Sequence, residues 1–348
     1  MDVVEEFYRS RVRRARVGDA TVRDATLPVI PLVDVGEGGP VALFAAERAR
    51  AEELLAAGRR FYGGVNIVLS EALTRAWLRH SDNPYRKELE AIAAQIPGPG
   101  PLVLNLSYEW FCTTAVAPDP EGSGNRLLRT LDWPLDGLGR HLVVARQEGP
   151  AGTYFNVTWP GFVGVATAMA PGRFSAALNQ APMRRLGLPV LADWVSNRLS
   201  VWRSRGLPPV HLLREVFDHS RTYVEAKARL AEARLCLPAL FILSGVKAEE
   251  GCVIERLEDR AVVHDSPFCI TNHWLTPGLS GPPRTLDSHD RRALMEGLYR
   301  TVADGFGWLV PPVLNACTRV AALANAGAPK LLVQGFEEDG PATAVFRV

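Results

Sequence analysis

Between Asn105 and Pro134 the chain carries a thiol, a guanidinium and a carboxylate on two neighbouring strand-like segments. Cys112 opens a β-rich run, and the hydroxyl residues Thr113 and Thr114 follow it at once. A polar turn from Gly122 to Asn125 reverses the chain, and a second apolar segment brings in Arg129 and Asp132 before Trp133 and Pro134. A free thiol has a pKa of about 8.5 and is mostly protonated at neutral pH, so a nucleophile needs a cation or base beside it. A guanidinium favours the thiolate, and a carboxylate can hold a basic nitrogen in place. The chemistry suggested is attack on an amide carbonyl, with a thioester as the acyl intermediate. Residues three apart on a regular strand face opposite sides. Arg129 and Asp132 therefore converge on one thiol only if the strand bends or ends between them, which Pro134 allows.

The elements that must position these groups can be read from periodicity. A Pro/Gly-bounded strand from Leu27 to Asp34 follows an amphipathic lead-in with the basic cluster Arg9, Arg11, Arg13, Arg14 and Arg16, read as a solvated terminal helix. Apolar residues at three- and four-residue spacing predict helices over 41–58, 66–80 and 84–95. The Pro97-Gly-Pro-Gly-Pro101 run breaks the pattern just before Cys112. Strands are expected at 112–117, 126–132, 140–148, 152–159, 162–168 and 173–179, with Gly/Pro turns between several of them. Helices follow at 189–204, 209–218 and 222–235, and strands at 238–244, 251–256, 260–264 and 268–271. A helix at 287–304 precedes strands at 317–324, 329–335 and 342–347. That order is α+β and fits two packed sheets flanked by helices.

The run Asn-Leu-Ser-Tyr-Glu-Trp-Phe-Cys-Thr-Thr-Ala-Val-Ala, followed by Arg-Thr-Leu-Asp-Trp, resembles acid ceramidase and N-acylethanolamine acid amidase. More distant relatives of that family are the penicillin V acylases, bile salt hydrolases and isopenicillin N acyltransferases. Four later segments fall in the same order: Ala239-Leu-Phe-Ile-Leu-Ser-Gly-Val, Glu250-Gly-Cys-Val-Ile-Glu-Arg, Cys269-Ile-Thr-Asn-His-Trp and Asp290-Arg-Arg-Ala-Leu. The resemblance covers roughly residues 100–335. It implies a four-layer αββα sandwich, the N-terminal-nucleophile (Ntn) hydrolase fold, preceded by an N-terminal helical segment. It also implies self-cleavage just before the nucleophile, giving a small-subunit segment 1–111 and a catalytic domain 112–348, with the N-terminal fragment remaining bound. By matched motif Cys112 resembles the nucleophile, with Arg129 and Asp132 its partners. Asn179 resembles a polar residue beside the acyl carbonyl, Asn272 an oxyanion-hole side chain, and Arg291 a later site arginine, with Arg292 an equal candidate. Thr130 departs from the Asn usual in the amidases, and Asn179 stands where some of them place an acidic residue.

The chemistry the resemblance implies is hydrolysis of a small-molecule N-acyl amide, with fatty-acyl amides among the candidates, without a cofactor. If the Phe111–Cys112 bond opens, the new α-amine, with a pKa of about 7.7–8, serves as general base beside its own sulfur. The alternatives are an acyltransferase that passes the acyl group to an amine, and a non-catalytic scaffold. A Cys–His pair using His273 or His264 is a further alternative. Alone, Cys112 would more simply be a core thiol, the reading given to Cys236, Cys252, Cys269 and Cys317. Trp133, Trp159, Phe162 and Trp274 are candidate walls of an apolar acyl pocket.

Lys+Arg of 39 against Asp+Glu of 38 leaves a net charge of +1, so no global field draws the chain to nucleic acid or anionic lipid. Neither His-Glu-x-x-His nor Cys-x-x-Cys occurs, and no metal is expected. No apolar run is long enough to insert stably in a membrane. The charged first residues lack an apolar signal core, and five irregularly spaced cysteines suit a reducing compartment; a cytoplasmic location is expected.

Overall fold

The computed structural model describes residues 27–106, 110–184 and 190–348; the basic cluster of residues 9–16 lies outside them. Two sheets face each other, the larger mixed and the smaller antiparallel throughout its described pairings. The larger contains β1 (Leu32–Gly36), β4 (Val143–Gly149), β5 (Gly152–Thr158), β6 (Thr167–Ala170), β7 (Phe174–Gln180), β8 (Ala239–Gly245), β9 (Gly251–Arg256) and β10 (Ala261–Asp265), paired in that order. The smaller runs β11 (Phe268–Ile270), β2 (Phe111–Pro118), β3 (Asn125–Asp132), β12 (Thr318–Asn325), β13 (Lys330–Glu337) and β14 (Gly340–Pro341), with β15 (Phe346–Arg347) also on β13.

Strand alternation sorts the side chains of β2 and β3 into two layers. Val116 and Leu127 face the larger sheet and pack with Ala177, Leu240, Ile242 and Val253. Ala115, Ala117 and Leu128 face outward and are covered by Met295 and Tyr299 at the helix α9 (Ser288–Leu298). On the far side of the larger sheet, α7 (Pro209–His219) and α8 (Tyr223–Glu232) bury Phe217, Val216 and Leu230 against Phe174, Ala176 and Leu243. Helix, sheet, sheet and helix give the expected αββα sandwich. Helix α6 (Val190–Arg203) precedes α7.

The segment before Cys112 supplies α1 (Gly39–Ala46), α2 (Arg48–Tyr62), α3 (Gly64–His80), α4 (Arg86–Ala94) and α5 (Pro101–Leu106). It also supplies a strand, as its sequence suggests: β1 pairs in parallel with β4 and is the only parallel strand among those described. Leu43 of α1 packs on Val143 and Ala145 of that neighbour. Buried Glu71 of α3 accepts the free N–H groups of Gly100, Leu102 and Val103 at the start of α5, a side-chain answer to orphan helix donors. This segment therefore belongs to the sandwich rather than forming a separate helical body.

Several boundaries differ from the sequence reading for local reasons. The 41–58 helix divides at Glu47, whose backbone leaves the helical region. The strand expected at 162–168 starts only at Thr167. Upstream of it, the backbone bonds of Val163 go to Asn105 and Arg214 and that of Val165 to Val210, so they are not free to build a ladder. The last helix ends at Leu298 instead of 304, where Arg126 takes the carbonyl of Val302. The final strand is reduced to the short β14 and β15.

Candidate active site

Cys112 is the second residue of β2 and is fully buried, with its side chain directed between the sheets. Antiparallel register sets Cys112 opposite Leu131, Thr114 opposite Arg129 and Phe111 opposite Asp132. Cys112, Thr114, Arg129 and Leu131 thus share the inner face. Arg129 reaches diagonally back, and its Nη2 donates to Cys112 Sγ at 3.3 Å. Its Nη1 donates to the Leu178 carbonyl at 2.8 Å and lies 3.4 Å from Asn179 Oδ1. Among the described residues no carboxylate lies within ion-pair distance of this buried guanidinium, so the thiol is the group its charge faces most directly.

Burial pushes the Cys112 thiol up to about 11; Arg129 opposes that shift, Asp132 adds to it, and Arg291 and the Gln180 backbone N–H also oppose it. In the intact chain the thiol is a protonated, water-excluded group. Burial also raises Asp132 to about 6, against the pull of Arg291.

Asn179 on β7 projects from the opposite sheet. Its Oδ1 accepts from Thr114 Oγ1 at 2.7 Å, and its Nδ2 donates to the carbonyls of Ile270 and Thr271. Asn272, just beyond β11, accepts the Cys112 backbone N–H on Oδ1 at 2.8 Å and a second bond from Arg291 Nη2 at 3.2 Å. Its Nδ2 donates to the Gln180 carbonyl at 2.9 Å. Two donors on one side and a carbonyl on the other fix the amide orientation. In this geometry Asn272 offers its oxygen to Cys112, whereas an oxyanion hole would use its NH₂.

Arg291, in the first turn of α9, is fully buried and joins the pieces. Nη1 donates to the Cys112 carbonyl at 2.8 Å and to Thr113 Oγ1 at 3.0 Å; Nη2 also donates to Thr285 Oγ1 at 2.7 Å; Nε pairs with Asp287 at 3.2 Å. Arg292 bonds Cys269 O and Glu296 instead, so of the two candidates Arg291 is the one in contact with Cys112. Asp132 does not join Arg129 at the thiol. It lies on the outer face of β3, 3.9 Å from Arg291 Nη1, and accepts from Asn315 Nδ2 at 3.2 Å. β3 keeps regular pairing with β2 through Asp132, and the irregularity in its pairing with β12 lies on β12 between Thr318 and Val320, so the two side chains do not converge. Among the described residues Asp132 Oδ1 has no hydrogen-bond partner.

Among the described residues the hydrogen-bond partners of Cys112 Sγ are Arg129 and the Leu178 carbonyl, not a histidine. His273 Nδ1 is engaged by Thr271 and Ser288, and His264 Nε2 by Glu255. Thr285, Ser288 and Asn315 carry no distinguishing sequence signal, because hydroxyl and amide groups are common and only contact gives them meaning. Among the described residues no group of three His, Cys, Asp or Glu is arranged to hold a metal, and no helix is long and apolar enough to cross a membrane.

Beside the site is an apolar cavity of about 70 Å³, walled in part by Leu54, Trp133, Leu135, Leu138, Trp159 and Phe162. Trp110, two residues before Cys112, stacks edge-on against Trp133 at 5.4 Å and Phe162 at 6.3 Å. Trp274 is not a wall; it packs beside Ile270 and Val116.

No family model matches the chain. Acid ceramidase of Homo sapiens is 32% identical over 217 residues, covering 56% of this chain and 52% of that protein. N-acylethanolamine-hydrolyzing acid amidase of Oryctolagus cuniculus is 31% identical over 162 residues, covering 45% and 43%. The chain is a homologue of these two enzymes. It spans about half the length of the curated relatives it matches. The Caenorhabditis elegans N-acylethanolamine-hydrolyzing acid amidase ortholog superposes with a TM-score of 0.51 at 21% identity, over 68% of this chain and all of that one. The chain therefore has the Ntn-hydrolase sandwich fold, and Cys112 stands at the start of an inner strand of that sandwich.

Proposed function

We propose that the protein is a cysteine amidase that hydrolyses small-molecule N-acyl amides, with fatty-acyl amides as the substrate class. The observation carrying this reading is the Arg129 guanidinium at 3.3 Å from Cys112 Sγ, with the Cys112 nitrogen held at 2.8 Å by Asn272 Oδ1. An amidase nucleophile needs a stabilised thiolate and a fixed nitrogen base, and these two contacts address both.

The chain first opens at Phe111–Cys112: the sulfur attacks the Phe111 carbonyl, the acyl group moves from nitrogen to sulfur, and water hydrolyses the thioester. Residues up to Phe111 become a small fragment that stays bound, and 112–348 the catalytic part. The α-amine of Cys112, retained on Asn272 Oδ1, then removes the thiol proton in each turnover. Asp132 Oδ1, unpaired in the intact chain, accepts from that amine. Arg291 holds the Cys112 carbonyl, and Asn179, ordered by Thr114, lies beside the acyl carbonyl. Attack on substrate gives a thioester and releases the amine; water then releases the acid. The apolar walls around Trp133, Trp159 and Phe162 suit an acyl chain, and the names of the homologues point the same way.

The test is intact mass after incubation at mildly acidic and neutral pH, followed by a panel of N-acyl amides of graded chain length. The expected result is two fragments split before Cys112, acid release from the panel, and neither in Cys112→Ala. A single 38.0 kDa species inert to the panel in every condition would overturn the proposal.

A further inference from the structure

The Asn272 backbone is tied to α9 by a closed set of short contacts. Asn272 N–H donates to Ser288 Oγ at 3.1 Å. Thr271 Oγ1 donates to the Ser288 carbonyl at 2.8 Å and lies 3.0 Å from Ser288 Oγ. His273 Nδ1 lies 2.9 Å from Ser288 Oγ and 3.0 Å from Thr271 Oγ1. Proton counting narrows the arrangement. Thr271 spends its one hydroxyl proton on the Ser288 carbonyl, so Ser288 Oγ must direct its own proton to His273 Nδ1 or to Thr271 Oγ1. A neutral imidazole with Nδ1 bare takes that proton, and leaves the Ser288 oxygen oriented to receive Asn272 N–H.

We propose that His273 is a positioning residue of the amidase site: as the neutral Nε2–H tautomer it orients the Ser288 hydroxyl, which fixes the Asn272 backbone and so keeps Asn272 Oδ1 on the Cys112 nitrogen. This rests on the amidase reading for its consequence, but not for its geometry. His273 touches neither the thiol nor its nitrogen, so its effect passes through Ser288 and Asn272.

The surroundings favour the neutral ring. His273 is buried, and its ring lies 4.0 Å from that of His289 at 32°. His289, Arg292 and Arg291 face it from α9, and Glu255 of β9 is the one opposing charge among the groups acting on it. Glu255 is itself engaged by His264 and by the backbone N–H groups of Leu275 and Thr276, which tie down the other side of the same loop. Burial and then the three cations or cation-forming groups pull His273 down to about 4. Its protonation at lower pH would turn Nδ1 into a donor and reverse the Ser288 hydroxyl.

The experiment has two arms. In the first, ¹⁵N-histidine spectra of the full chain are recorded against pH for wild type, Ser288→Ala and His273→Asn, the last identifying the resonance. The expected pattern is a bare Nδ1 at neutral pH, titration well below the free imidazole range, and a shifted Nδ1 signal in Ser288→Ala. A protonated Nδ1 at neutral pH, or a signal indifferent to Ser288→Ala, would overturn the proposal.

In the second arm, self-cleavage and turnover are followed across pH in His273→Leu and His273→Asn. Leu should lower both rates by about tenfold to a hundredfold, the cost of a displaced site group. Asn, whose amide can replace Nδ1, should recover most of that loss and abolish any acid limb due to His273. Equal loss in both variants, with the wild-type pH profile retained, would reduce His273 to a packing residue. If wild type neither cleaves nor turns over, the amidase reading fails, and the spectral arm still decides the role of His273 on Ser288.

Discussion

Arg129 and Asp132 sit on one strand, three residues apart, and reach Cys112 from opposite faces of the sheet: Arg129 touches the thiol directly at 3.3 Å, while Asp132 lies behind Arg291 at 3.9 Å. The site is therefore built through the sheet, with the β2 backbone between the two charges.

Removing the cation should be the more damaging change. Arg129→Leu leaves the Leu178 carbonyl with only the long Cys112 Sγ contact and takes away the main charge that opposes the rise of a thiol already pushed to about 11. Opening of the Phe111–Cys112 bond should slow by about a hundredfold or more, the scale of losing a charge-stabilising donor. Arg129→Lys should recover only part, since it keeps the charge but loses the two-pronged contact. Intact-mass time courses decide this; a wild-type rate in Arg129→Leu would refute it.

Asp132 makes a prediction about stability as pH changes. Its folded pKa of about 6 is above the ordinary 3.8 because burial disfavours the charge. Between those values the unfolded chain binds fewer protons than the folded one, so this group's contribution to stability is lost as pH rises from about 4 to 6. Asp132→Asn removes that slope. Urea midpoints at about pH 4, 5 and 7 should converge or cross between wild type and variant, and parallel trends would show that Asp132 does not carry the shift.

On the proposed cleavage before Cys112, residues 27–111 would stay through non-covalent contacts, since none of them is a cysteine. Arg214 of α7 supplies the hold. It pairs with both oxygens of Glu88 on α4 at 2.7 and 2.9 Å and sits 4.1 Å over the ring of Tyr85, whose hydroxyl bonds Asp218. Arg214→Ala should cost about 1.5–3 kcal/mol, since Arg214 is buried but Glu88 is nearly one third exposed. After cleavage its fragments should separate on native size exclusion while those of wild type co-elute. Co-elution in both would place the hold elsewhere, in β1 and the apolar helix faces.

Phe162→Ala tests the cavity. It should destabilise the fold by about 3–5 kcal/mol and, among active enzyme, move the acyl-chain optimum to longer chains. Hydrolysis rates across a homologous series provide the check, and an unchanged optimum would place the acyl group elsewhere.

The sequence alone determined the αββα order and named residues that the fold brings together around Cys112. Strand period, Gly/Pro punctuation and helical spacing are local properties, so β2, β3, β7 and α7 fell within a residue or so of expectation. Cys112, Arg129, Asn179 and Asn272 could be named because their motifs travel with those elements. Tertiary structure decided the rest. Arg291 and Arg292 are adjacent and chemically identical, and only the burial of one against the Cys112 carbonyl separates them. Which end of the Asn272 amide faces the nitrogen depends on partners 160 and 92 residues away. The side of β3 that carries Asp132 follows from a register set by pairing with β2 and β12. These are long-range contacts between groups whose types are common everywhere in the chain, and no local pattern encodes them.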